Sequence, residues 1–151
     1  MRGFTRDYFL ALIGLYLIFY SPFSPISHTI NLWQKDFLIL SLKPLLNSFE
    51  FINYHIIINP YYHLEVTSRC TSSIPLFLFF AFMIADKRDI KRRVIYSIIG
   101  FVVINIFNIF RIYIVTIVVK YDPTLLFWIH SVGGNIILGI GIFLVLGLYS
   151  T

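Results

Sequence analysis

From Val94 to Val119 the chain carries one charged residue, Arg111, in an otherwise apolar run. At ~1.5 Å of rise per residue this run crosses the ~30 Å hydrocarbon core of a bilayer with length left over for tilt. A helix apolar over most of its surface is buried or lies in lipid, so membrane insertion is the first constraint on the fold. Composition agrees: 58% of residues are hydrophobic and 13% charged, against roughly 45–50% and 25% in soluble domains. The 151 residues are read as one membrane-embedded domain, 1–151. The formal charge of +5 gathers at the ends of apolar runs, as the positive-inside pattern requires, and nucleic acid is not an expected partner.

Taken in order, the run Tyr8 to Phe23 follows Arg2 and Arg6 and reads as an uncleaved first helix, because the Ser, Pro and Phe residues after Tyr20 offer no small-residue cleavage site. Trp33 to Phe51 has apolar residues at helical spacing but is broken by Lys43-Pro44, which suggests an interfacial or re-entrant amphipathic segment. Tyr54–Ile58 and His63–Thr67 flank Asn59-Pro60, the signature of a short extracytoplasmic hairpin. Cys70 to Ala85 is a short second span of ~24 Å. Asp86 to Arg93 holds Lys87, Arg88, Lys91, Arg92 and Arg93 and is expected in the cytoplasm. Val94 to Val119 then runs outward as the third span, Leu125 to His130 is a short outer connection, and Val132 to Tyr149 returns as the fourth. Gly133, Gly134, Gly139, Gly141 and Gly147 suit this last helix to close packing. The expected fold is an all-α integral membrane protein of about four transmembrane helices, with both termini cytoplasmic, in the plasma membrane.

This topology brings three polar residues to the outer leaflet. Cys70 is the only cysteine, which excludes an intrachain disulfide and a zinc site of paired cysteines. Arg111 lies in the outer third of the third span, with Asn105 and Asn108 preceding it at three-residue steps on one polar face. His130 stands just before the fourth span. Singly, each has a bland reading: a buried cysteine behaving as a small hydrophobe, a snorkelling arginine, a structural interfacial histidine. Together they supply a nucleophile, a cation for thiolate or oxyanion, and a proton carrier. His55, His63 and Glu65 do not match the spacing of a helical two-histidine metal motif and are read as hairpin surface. No metal or cofactor is expected. Arg69 neighbours the thiol and suits either lipid phosphate or support of the thiol.

The segments Cys70-Thr71-Ser72-Ser73-Ile74 and Asn108-Ile109-Phe110-Arg111, followed by His130 ahead of a glycine-containing helix, resemble the exosortase and archaeosortase family of membrane cysteine transpeptidases, over about Leu64 to Leu148. Ser72 stands where many members have glycine. The resemblance implies cleavage of C-terminal transmembrane sorting signals of surface proteins at the outer membrane face through a thioester, and transfer to a lipid or glycan acceptor. Carried to matching positions, it makes Cys70 the nucleophile, Arg111 the stabiliser of thiolate or oxyanion and His130 the general acid and base. Asn108, Arg69 and Ser72 become supporting or substrate-binding residues. The competing expectation is a non-catalytic membrane assembly or scaffold protein, in which Cys70 is incidental. A small transporter or channel fits less well, because the spans hold no intramembrane acid and the polar residues form no through-path.

Overall fold

The computed structural model of the protein describes residues 2–19, 21 and 24–151. Helix α1 (Arg2–Phe19) carries the first apolar run, whose expected end at Pro22 and Phe23 lies outside the described residues. Helix α2 (Pro25–Leu42) follows an extended Ser24 and opens on Pro25, at a position where a missing N–H costs no helix bond. It ends before Lys43-Pro44, since Pro44 cannot donate the next bond. The segment expected from Trp33 to Phe51 is thus one regular helix that starts earlier and stops sooner.

Three antiparallel strands come next, in the order β1 (Glu50–Ile52), β2 (His55–Asn59), β3 (Tyr62–Glu65). The expected hairpin is β2–β3, turning at Asn59-Pro60. The added strand β1 joins β2 through a two-residue turn, with Ile52 opposite His55. Asn53 takes the left-handed φ of 52° that this turn needs, a conformation asparagine tolerates better than most residues. A 3₁₀ turn at Ser68–Cys70 leads into α3 (Ser73–Ala85), so Cys70 lies just ahead of the helix rather than within it.

Helix α4 (Ile90–Tyr121) is followed by a 3₁₀ turn at Pro123–Leu125, a π-helical turn at Trp128–Gly133, and α5 (Gly134–Ser150). Hydrogen bonds from the Thr124 hydroxyl and backbone N–H hold the Asp122 carboxyl below its usual range and cap the first of these turns. Ile90–Tyr121 and Trp128–Ser150 are each long and apolar enough to cross a membrane, and α3 is apolar but shorter. Leu10, Ile98 and Phe143 are 62, 62 and 77% exposed, apolar surface on three helices that suits lipid rather than water.

Two apolar clusters build the interior. One joins Leu38 and Leu42 of α2, Ile56 and Leu64 of the sheet, and Ile112, Val115 and Val119 of α4, and includes Cys70. The other joins Leu76, Phe79 and Met83 of α3 with Ile104 of α4 and Val145 and Tyr149 of α5. Asn105, Asn108 and Arg111 of α4 come between Ile104 and Ile112 and form a polar layer between the clusters. At the far end of the bundle Arg88 and Arg92 donate to the Tyr149 carbonyl at 2.8 and 2.7 Å, while the Tyr149 hydroxyl donates to Asp86. Cations at a helix C-terminus satisfy its free carbonyls and offset its dipole.

Candidate active site

The polar layer meets the loop before α3. The Cys70 side chain is 3% exposed and Arg111 is 4% exposed. Cys70 Sγ lies 3.7 Å from His130 Nε2, and Arg111 Nη2 lies 3.4 Å from the same nitrogen and 3.3 Å from the His130 carbonyl. Two residues from separate stretches of chain, Cys70 and Arg111, therefore converge on one imidazole nitrogen.

Arginine has only donors, so its contact requires a lone pair on His130 Nε2. That fits the neutral tautomer with its proton on Nδ1, and the same lone pair can accept from the thiol. The Cys70 sulfur also lies 3.9 Å from the Glu65 carbonyl and 3.8 Å from Thr67 Oγ1. Thr67 Oγ1 in turn accepts from the Arg69 backbone N–H at 3.3 Å, which caps the turn carrying the thiol.

Each side chain is held by local structure. His130 lies inside the π-helical turn, where a connecting loop was expected. Such a wide turn re-aims side chains relative to a regular helix and recurs at functional sites. Gly133 and Gly134 make no bend: both have helical φ, −59° and −62°. Gly134 serves the site differently, since a Cβ built on it would overlap Arg111 Nε. Asn108 donates from Nδ2 to the Cys70 carbonyl at 3.0 Å and accepts from Arg111 Nη1 at 3.3 Å.

The remaining candidates divide. Ser72 is buried, and its hydroxyl donates to Asn105 Oδ1 at 2.8 Å, joining α3 to α4 beside the site instead of touching the thiol. Ser73 donates to Gln34 Oε1 at 2.5 Å, tying α2 to the same loop, a link that no spacing in the sequence signals. Arg69 is exposed and lines a cleft together with Arg111, Ile74 and Leu138. His55 and His63 pack ring edge to face at 4.8 Å on the sheet. His63 and Glu65 line a second cleft, of about 340 Å³, with Cys70, His130 and Tyr62. The thiol–imidazole pair thus opens on one cleft and the guanidinium on another.

Residues 4–147 match the model of the transmembrane exosortase family (Exosortase_EpsH). The chain belongs to the transmembrane exosortase family. It is accordingly a membrane protein, and the cysteine, arginine and histidine brought together here lie within the matched region. No curated protein and no solved structure matched the chain. The arrangement gathers groups of the kinds that acyl transfer uses: a thiol, an imidazole 3.7 Å from it, and a guanidinium 3.4 Å from the same imidazole nitrogen.

Proposed function

We propose that the protein is a membrane-embedded cysteine transpeptidase that cleaves C-terminal sorting signals of surface proteins at the outer membrane face and transfers them to an acceptor. One observation carries this reading: His130 Nε2 stands between Cys70 Sγ at 3.7 Å and Arg111 Nη2 at 3.4 Å in a transmembrane exosortase-family chain.

His130 Nε2 takes the thiol proton, and the thiolate attacks the scissile carbonyl, forming a carbon–sulfur bond and an oxyanion. Protonation removes the lone pair that Arg111 Nη2 was donating to. That N–H is then free to donate to the oxyanion, so proton transfer and oxyanion stabilisation are coupled. Collapse breaks the peptide C–N bond, the leaving amine takes the proton from Nε2, and the acyl group stays on sulfur as a thioester. An acceptor amine or hydroxyl attacks next, giving its proton to Nε2. The C–S bond breaks as the new amide or ester forms, and the thiolate recovers the proton. Water in the acceptor's role gives hydrolysis.

The membrane arrangement that suits this chemistry has four spans, α1, α3, α4 and α5, with both termini and the basic segment Asp86 to Arg93 in the cytoplasm of a plasma-membrane protein. Arg111 lies ~31 Å along α4 from Ile90, about one hydrocarbon thickness, which supports a site at the opposite face. The cleft lined by Cys70, His130, His63 and Glu65 takes the peptide motif.

The test is to trap the acyl-enzyme: co-express the protein with a tagged substrate bearing a candidate sorting signal and isolate a hydroxylamine-sensitive adduct. Loss of the adduct in Cys70→Ala supports a thioester at that sulfur. An adduct that persists in Cys70→Ala, or a Cys70→Ala strain with unaltered processing, defeats the reading.

A further inference from the structure

Strand β3 ends beside the thiol, and the edge it turns toward the thiol is unpaired. The register fixes which backbone groups point which way. Ile52 and His55 close the two-residue turn between β1 and β2, so His55 and Ile57 aim their N–H and C=O groups at β1, and Tyr54 and Ile56 aim theirs at β3. The bond from the Val66 N–H to the Tyr54 carbonyl, 2.7 Å, agrees. Leu64 lies opposite Ile56, whereas His63 and Glu65 lie opposite Ile57 and His55. His63 and Glu65 therefore direct their backbone groups off the outer edge of the sheet, where β3 has no neighbouring strand. Among the described residues the group placed against that row is the Cys70 thiol, with Sγ 3.9 Å from the Glu65 carbonyl. Leu126, Phe127 and His130 line the same cleft as the edge.

A row of free N–H and C=O groups is matched by another backbone whose groups are free at the same spacing. A helix has used its own groups internally and an acyl chain has none, so the edge selects an extended peptide. Direction follows from the packing. The sheet shares a cluster with Val115 and Val119, beyond Arg111 on α4, while the apolar α3 leaves the thiol the other way, toward Ile104. A peptide that comes from the sheet side thus runs toward the thiol, as β3 does. We propose that the substrate segment ahead of the scissile bond binds as an added strand parallel to β3, ending with its scissile carbonyl at Cys70 Sγ. In a parallel ladder the residue that carries this carbonyl donates its N–H to the Glu65 carbonyl. The residue two before it donates to the His63 carbonyl and accepts from the Glu65 N–H, and the residue between them faces away. Naming that peptide the substrate rests on the transpeptidase reading; the fit of the edge to an extended peptide does not.

Backbone pairing is blind to side chains, so an alanine peptide tests it. The probe is acetyl-tetraalanine with a methyl vinyl sulfone in place of its terminal carboxyl. Sγ adds to the vinyl carbon at the carbonyl position, and the neighbouring carbon takes a proton. Labelling of Cys70 on the full chain in detergent is followed by intact mass and compared with methyl vinyl sulfone itself, which has no backbone to pair. The peptide should label faster. N-methylation of the second alanine, two before the reacting residue, is expected to slow labelling at least about tenfold, and that of the third to change it by less than about twofold. Glu65→Pro removes one outward N–H and no bond to β2, and should lower the peptide's rate relative to methyl vinyl sulfone about fivefold. Equal effects of the two N-methyl groups, or a peptide no faster than methyl vinyl sulfone, overturn the proposal whether or not Glu65→Pro folds; so does an unchanged ratio in a folded Glu65→Pro protein. Alternation of the N-methyl effects without a hydroxylamine-sensitive adduct from the tagged substrate leaves the edge standing and removes the transpeptidase reading. An adduct at Cys70 without that alternation keeps the transpeptidase and removes the added strand.

Discussion

Asn108 Nδ2 donates to the Cys70 carbonyl oxygen at 3.0 Å, while its own Oδ1 accepts from Arg111 Nη1 at 3.3 Å. One buried amide thereby fixes the loop that carries the thiol to the helix that carries the guanidinium. Both partners are themselves nearly inaccessible, so neither water nor lipid can replace the bonds at low cost. Without this bridge the distance from sulfur to guanidinium is set by packing and by their shared contacts with His130 Nε2.

Asn108 can therefore be dissected by losing its two bonds separately. Asn108→Asp keeps an acceptor for Arg111 but has no N–H for the Cys70 carbonyl, and Asn108→Leu loses both. Acyl-enzyme formation is expected to fall roughly 10²-fold in Asn108→Asp, the scale of an ~1 Å misplacement, and further in Asn108→Leu. Rates of hydroxylamine-sensitive adduct formation read this directly. A fully active Asn108→Leu protein would show that the amide has no positioning role.

Arg111→Lys keeps the charge and discards the fork. The guanidinium spans Asn108 Oδ1, the His130 carbonyl and His130 Nε2 at once, and a compact ammonium cannot. The acylation rate is expected to fall by about 10²–10³, as for removal of an oxyanion donor, with the substrate concentration at half-saturation little changed. A loss confined to substrate binding would instead make Arg111 a docking residue.

Packing of the helices invites a separate measurement. A Cβ on Gly100 of α4 would overlap the Phe79 ring of α3, and Phe79 is 1% exposed within its cluster. Gly100→Ala is expected to destabilise the protein by about 1–3 kcal/mol through overpacking, less the ~1 kcal/mol that alanine gains in helix propensity. Thermal unfolding in detergent should show a lower midpoint. An unchanged or raised midpoint would mean that the α3–α4 seam yields freely.

Much of this site is legible in the chain because its parts are chemically rare where they occur. An arginine amid apolar residues, a single cysteine and a histidine ahead of a long apolar run each stand out, and the alternation of crossings expected from the sequence places them on one side. The three-residue steps Asn105, Asn108 and Arg111 also follow from helical periodicity alone. What the sequence does not disclose depends on packing or on short local geometry. Strand β1 is too brief to show a period. The π-helical turn that aims His130 has no residue signature, and α2 starts at Pro25, ahead of the helical spacing that is visible only from Trp33. Gly134 reads as one of several glycines in a helix, and only the approach of Arg111 sets it apart from Gly139 and Gly147.

That distinction yields the most discriminating variant. In Gly134→Ala the new methyl would overlap Arg111 Nε and come within 3.1 Å of Cδ and 3.3 Å of Cγ. A free arginine would swing aside, but this one is tied through Nη1 to Asn108 and through Nη2 to His130, so moving its stem breaks bonds at its tip. Acylation is expected to fall roughly 10- to 100-fold, while the helix itself gains up to about 1 kcal/mol of propensity over glycine. Gly147→Ala, with nothing within 4 Å of its Cβ, should gain the same propensity and keep its activity. If Gly134 acts through Arg111, the two substitutions must be non-additive: Gly134→Ala should cost little more once residue 111 is already lysine. A fully additive double variant, or an active Gly134→Ala protein, would mean that the guanidinium has room to work elsewhere in the site.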